Sequence, residues 1–557
     1  VPDYAALWAY TWTPQRFAPY AARADAVAHL PGARSPASPI VETYLPAVDL
    51  LPSVVGQSFG GLDFYNRVHI QFLALDLGNL VSDQSTTLWV WNAWRRAIIL
   101  SSLAEDNAEG ITLGGQPLPP LQFAPQQQRV YELGISTDGP PTIGATLTWT
   151  FNTGQALQVR ITGSRVTGWG WSADWSAGML ERLEWATDVL TMYRGEEQRR
   201  ALRIGPRKVI EFSVMVSGRE RRTLEAILWD WGARVWAVPV WWDGTPTTAP
   251  LAIGGFTIAA DTTTRDFQAD GLAMLLASDS ALDFEVAEVA SVTPAGITLK
   301  RPATRNWPQG TMVYPARAAR LDPSVGLDRF TGDTSTTRLR FLATEPEVWT
   351  ADAGTATHRG YPVLEVRPNW TGEPQLTLER KLSILDTVTG TRRVVDEAGQ
   401  PSGSQSMRWT FTSRAEIDAW RKRLHALRGR HGAAWVPTWT QDLEVVTAVG
   451  NADLAIEVRA MGYVQYLKQD AGRRDIRIEL VNGTVLYRRI TGSTLLSPTV
   501  ERLNIEAALG VTVQPADVAM VSFMALSRQE SDAAELAWWT GETVDTSATF
   551  RSFRNNT

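Results

Sequence analysis

The sequence contains no cysteine. That excludes disulfides, thiol nucleophiles and thiolate metal sites together. It also favours folding in a reducing compartment, because large secreted chains more often carry disulfides. Lysine is scarce, at 5 of the 53 basic residues. Histidine is as rare. His29, His69, His358, His425 and His431 show no H-x-x-x-H spacing, which would set two imidazoles on one helix face. His425 and His431 flank a predicted helix end, a poor metal geometry. No G-x-S-x-G elbow or Walker phosphate loop occurs, and Gly254-Gly255 lacks the Lys-Ser/Thr that would make such a loop. No apolar run reaches about 18 residues, and the start has no secretory pattern, so neither a membrane span nor export is expected. The chain opens at Val1 without Met, which points to a trimmed start, and Val1–Ala5 (VPDYA) matches the end of a common epitope tag. The net charge of −6 weighs against a protein that neutralises nucleic-acid phosphates. Acid pairs such as Glu181/Glu184 and Glu196/Glu197 are expected by chance among 59 acids. No catalytic, cofactor-binding or metal-binding residue is assigned, no cofactor is expected, and the chain reads as a non-enzyme.

What is present is tryptophan and arginine. There are 24 Trp, and Arg supplies the other 48 basic residues. Both residue types dominate interface hot spots, though a Trp can equally fill a β core. With 44% hydrophobic residues over 557 positions the chain can bury several cores, and roughly 100–200 residues per domain gives three to five domains.

Residues 1–63 read as an extended arm ordered by partners. Prolines break the first 57 residues, and Trp8, Tyr10, Trp12 and Tyr20 offer anchors. Residues 64–165 read as an immunoglobulin-like β-sandwich. Leu147, Trp149 and Phe151 alternate with polar residues, the turn Asn152-Thr-Gly154 follows, and Leu157, Val159 and Ile161 alternate again: a hairpin with one buried face. Tyr131, Leu133 and Ile135 alternate likewise, and Leu88–Trp91 is apolar on both faces.

Residues 166–349 (repeat A) and 350–557 (repeat B) carry an internal repeat. Trp175-Ser176 matches Trp370-Thr371, Leu183-Glu184 matches Leu378-Glu379, Val189-Leu190 matches Ile384-Leu385, and Gly195 matches Gly390, all at an offset of 195. Ser217-Gly-Arg-Glu220 and Ser413-Arg-Ala-Glu416 are both S-x-x-E capping boxes. Each opens a short amphipathic helix. The helical spacing makes Leu224, Leu228, Trp231, Trp420 and Leu424 core residues, and Gly232 and Gly429 sit where a helix-ending glycine belongs. A Trp-Pro strand follows each helix, Trp236–Trp241 and Trp435–Trp439. Thr331-Gly-Asp-Thr334 and Thr540-Gly-Glu-Thr543 close the two copies. Arg414–Arg430 is a basic cluster on the second helix, expected to face solvent or to form an inter-subunit ion-pair surface. The fold class is therefore mainly β and multidomain: a sandwich followed by two related β-rich units, each with one short helix.

The run from Trp175-Ser through Leu180–Leu190 and Gly195–Arg203 to Val238-Pro-Val-Trp-Trp242 resembles distal tail or baseplate proteins of long-tailed bacteriophages. Trp307–Pro315 looks like a companion block, and Tyr65–His69 with Asp76–Gly78 is similar to their immunoglobulin-like part. Repeat B departs from the block, with Arg392-Arg-Val394 where repeat A has Glu-Gln-Arg. The resemblance implies a structural protein of the virion tail tip, assembled in the host bacterial cytoplasm. Its expected partners are other tail-tip and tail-tube proteins and further copies of itself, a trimer in preference to a hexamer, with DNA passing through a lumen without specific binding. A carbohydrate- or receptor-binding tail module is the alternative.

Overall fold

The computed structural model describes residues 64–554 apart from 81, 138, 141, 193–194, 278–280, 373, 397, 468–469 and 471. The expected arm, residues 1–63, lies outside the described residues. The chain is mainly β and multidomain. It divides into two compact units, with the boundary between Arg165 and Val166.

The first unit is a two-layer sandwich. One sheet runs Val68–Ile70, Gln84–Asn92, Gln128–Ile135, Ile111–Gly114. The other runs Ala74–Leu80, Ala156–Gly168, Thr142–Phe151, Ile98–Asp106, Leu121–Phe123. The alternation read from the sequence sets the register: Leu147 faces Val159 and Trp149 faces Leu157 across the predicted hairpin. Their side chains meet Leu88, Val90, Tyr131, Leu133 and Ile135 from the other sheet in one apolar core. Tyr131 packs edge-on to Trp149 at 5.9 Å. One face of each sheet is therefore dry, as a period of two requires.

In the second unit the same chain path is traced twice. In repeat A, Met179–Glu184 pairs with Arg207–Ser217, which pairs with Thr334–Pro346. Helix α1 (Gly218–Asp230) follows, then Val235–Pro239, which pairs with Met312–Leu321. In repeat B, Gln375–Glu379 pairs with Ser402–Phe411, which pairs with Val544–Ser552. Helix α2 (Arg414–Leu427) follows, then Ala434–Pro437, which pairs with Val518–Gln529. Between the Trp-Pro strand and its partner each repeat inserts a small β-subdomain with its own core. One is built on Leu275, Val289, Ile297 and Trp307, the other on Ile456, Val458, Ile478 and Leu503.

Equivalent positions agree in detail. The matched closing turns make the same bonds: Phe330 N–H donates to Thr334 O at 3.1 Å and Trp539 N–H to Thr543 O at 3.0 Å. Thr337 Oγ1 donates to Gly326 O at 2.6 Å, as Thr546 Oγ1 does to Glu535 O at 2.7 Å.

The helices differ from their sequence reading in three ways. Ser413 caps α2, accepting from Glu416 N–H at 3.4 Å, but Ser217 makes no cap bond, and Glu220 accepts from Ala281 N–H at 3.2 Å instead. Gly429 takes the left-handed conformation (φ 62°), with Arg428 beside it at φ 53°, whereas Gly232 does not. Leu224, Trp420 and Leu424 are core residues, but Leu228 and Trp231 are only half-buried. Trp231 ends the helix with the Arg234 guanidinium 3.9 Å over its ring. Only Leu224 is fully buried on α1, while six residues are on α2. The two helices have the same fold beneath them but different cover above.

Candidate functional site: the repeat junction and its exposed counterpart

The extra cover on α2 is repeat A. The strand Met179–Glu184 pairs antiparallel with Ala533–Trp538 of repeat B, residue by residue from Met179↔Trp538 to Glu184↔Ala533. One continuous sheet thus crosses from one repeat into the other. Trp242 of repeat A stacks on Trp538 of repeat B, with centroids 5.3 Å apart and planes 10° from parallel.

Under this junction lies a lattice of buried charge. Lys208 Nζ reaches Asp266 at 2.6 Å, Glu181 at 3.0 Å and Glu347 at 3.4 Å. Arg317 pairs with Asp266, and with Glu347 at 3.3 Å. Arg421, from α2, crosses to Glu181 at 2.7 Å and Asp243 at 3.1 Å, and Arg414 also pairs with Asp243. Four cations thus meet four carboxylates. Desolvating any one of them is costly, and the opposite charges offset that cost only while the set is complete. The titration behaviour follows. Burial alone would raise the Glu347 carboxyl, but Arg317 and Lys208 outweigh it and hold it at about 2. Burial would lower the Lys208 ammonium, but Asp266, Glu181 and Glu347 raise it above its ordinary value. Each of the eight groups has an opposite charge within ion-pair distance, an arrangement that suits a structural joint.

This corrects the reading of the basic cluster Arg414–Arg430. Arg421 is not on a solvated face; its side chain is 3% exposed and turned into repeat A. Arg414 follows it, donating also to Trp242 O. The cluster does form ion pairs across an interface, but that interface lies within one chain.

His425 is buried beside the lattice with its ring edge-on to Trp185 of repeat A, 5.6 Å away. Burial first, and then Lys208, push its pKa from 6.5 to about 4. The folded state therefore favours the neutral ring, so this stabilisation is complete above pH 6.5 and is lost as the pH falls toward 4. Unfolding free energies measured by denaturant titration should fall by about 3 kcal/mol across that window, and His425→Gln should remove most of the slope. An unchanged slope in His425→Gln would show that another group carries it.

A second contact extends the junction. The hairpin Thr187–Thr191/Glu197–Ala201 of repeat A lies on repeat B. Glu197 pairs with Arg528 at 2.7 Å, both nearly fully buried, and Thr187 N–H donates to Asp532 Oδ2 at 2.8 Å. Arg199 stands 4.5 Å over the Phe553 ring.

Among the described residues, the equivalent features at the other ends of the repeats are uncovered. Among the described residues, Gln375–Glu379 of repeat B has a sheet partner on one side alone, and every residue in it is exposed. Its hairpin, Leu382–Leu385/Arg393–Asp396, exposes Leu382, Ile384, Leu385, Val394 and Val395, with Val388 in the turn. On repeat A, the segment matching Ala533–Trp538 runs along Ser324–Arg329 and is paired on one side through Asp328–Arg329. Phe330 beside it is 69% exposed, and Trp229, which holds the place of His425 on α1, is 93% exposed.

Among the described residues no group of three His, Asp or Glu is placed to hold a metal ion. No helix there is long and apolar enough to cross a membrane. No protein-family description matches the chain, and no curated protein does. Among solved structures, the secreted serine protease VesC from Vibrio cholerae is similar over 48% of each chain at 10% identity, with a TM-score of 0.16. The match spans about half of that protein, and a likeness so slight carries no argument.

Proposed function

We propose that this chain is a structural component of the tail tip or baseplate of a long-tailed bacteriophage. In this reading it is a segment of a ring that joins the tail tube to the receptor-binding parts and leaves a channel for DNA. The observation that carries the proposal is the head-to-tail junction between two copies of one fold, with the same two surfaces left uncovered by the described residues at the outer ends. A heterologous contact of that kind builds rings when its rotation closes. The resemblance of the Trp175–Trp242 block to distal tail proteins supplies the setting. Two repeats per chain favour three chains, whose six repeats would match a sixfold tube to a threefold tip. Contacts above about 2,000 Å² are expected, in the obligate class. Its partners would be tube and tip proteins, and its place the virion.

A premature stop codon in this reading frame should leave phage-infected cells with filled heads and no functional tails. Normal infectious particles would overturn the proposal. A second reading, a carbohydrate- or receptor-binding module, is favoured by the exposed Trp229, since an open indole can stack on a sugar ring. A glycan array separates the two readings: specific binding abolished by Trp229→Ala would favour the second.

A further inference from the structure

We infer that the uncovered edge of repeat B docks on repeat A of a second copy of this chain, repeating between chains the junction that joins the repeats within one. The inference deepens the ring reading and rests on it. Inside the chain, the first strand of one repeat extends the sheet of the other along Ala533–Trp538. The corresponding first strand of repeat B is Gln375–Glu379, and the corresponding receiving segment of repeat A is Ser324–Arg329. Among the described residues both edges lack a second sheet partner.

The register carries over. Glu181↔Leu536 becomes Leu376↔Leu327, and Leu183↔Ala534 becomes Leu378↔Val325. Leu376 and Leu378 are 49% and 57% exposed, two in-phase leucines on a strand edge of the kind that templates pairing with another chain. Trp185 over His425 becomes Arg380 over Trp229, a cation on an open indole face. Glu225, which holds the place of Arg421, is already matched by Arg221 at 2.8 Å and Arg329 at 3.4 Å, so that carboxylate would not be buried unpaired.

The two junctions differ in chemistry. Where repeat A has Glu181, Lys208, Asp243 and Arg317, repeat B has Leu376, Gly403, Gln441 and Ala525. Those four charges are gone, and a cavity of about 200 Å³ stands in their place, lined by Leu376, Leu378 and Ala525 with Arg380, Asp470 and Arg473 at its polar side. The strand that docks within the chain presents the buried charge of Glu181, and the strand that docks between chains presents leucine in its place. Each surface therefore rejects the other's partner. A ring built this way alternates the two contacts and repeats once per chain.

The absence of native cysteine makes the test direct. Directly opposed residues in antiparallel strands sit roughly 4.5–5.5 Å apart at Cα, within the span a disulfide needs. Full-length Leu327→Cys and Leu376→Cys chains are purified separately, mixed and oxidised with diamide, then resolved by non-reducing electrophoresis. The expected product is a one-to-one cross-linked dimer from the mixture, with much less from either variant alone. A Leu378→Glu change on the Leu376→Cys chain should abolish the link while leaving its melting temperature unchanged. Absence of the mixed link, or a Leu376→Cys homodimer of equal yield, would overturn the contact. The assay uses purified protein, so a chain that links as expected but is missing from virions would overturn the tail reading alone. A chain found at the tail tip that fails to link would overturn this contact alone.

Discussion

Replacing Lys208 with Met should destabilise residues 166–557 by about 3–5 kcal/mol, the cost of removing one partner from a buried ion-pair network. The effect is large because Lys208 is surrounded by three carboxylates, Glu181, Asp266 and Glu347. Without it those acids keep only Arg317 and Arg421 as buried counter-ions. The loss should be repaired in part by adding Glu181→Leu, which restores charge balance and copies the residue at the matching place in repeat B, Leu376. Denaturant midpoints of the single and double variants decide this. A single variant as stable as the parent would mean that the lattice contributes nothing to the fold, and a double variant less stable than the single would mean that Glu181 serves Arg421 more than it opposes the other acids.

The second large effect is expected at Trp420. It is buried on α2 between Trp409, at 4.7 Å, and Phe411, at 5.5 Å. Trp420→Ala removes the largest side chain of that helix from a packed site and should cost about 3–5 kcal/mol, transfer and cavity together. Trp231→Ala, on the half-buried end of α1, should cost only about 1–2 kcal/mol by the area it covers. Equal losses at the two positions would show that α1 is covered as fully as α2 when the chain stands alone. That would remove the asymmetry on which the second-copy contact depends.

The sandwich hairpin was legible because alternation with a period of two cannot be satisfied by any other local structure. Leu147, Trp149 and Phe151 had to share a face, and Asn152-Thr-Gly154 marked the turn. The duplication was legible because matched pairs such as Val189-Leu190 and Ile384-Leu385 keep a single offset of 195 with their neighbours. The junction was not legible. Glu181, Lys208, Asp243, Asp266, Arg317, Glu347, Arg414 and Arg421 are spread over most of the second unit, and each alone reads as a surface charge. A signal did exist for some of them. Glu181 lies in phase with Met179 and Leu183 on the buried face of its strand, and Lys208 lies in phase with Ile210 and Phe212. Arg421 stands four residues beyond Ile417 on the buried face of α2. A charge at an inward position asks for a partner, and three of them ask for each other. Asp243 and Asp266 sit outside the long strands, where no periodicity marks them. The expectation that Leu228 and Trp231 are core failed for a related reason. Helical spacing says which residues share a face, but only the neighbouring repeat says whether that face is covered.

The proposal of a tail-tip ring is tested most directly by an electron cryomicroscopy map of virions purified from the source in which this chain is made. The account predicts three copies around the tail axis at the end of the tube, with six related repeats in one ring and Leu376 of each copy facing Leu327 of the next. A map in which the chain is absent, or sits as a single decoration away from the axis, would contradict it.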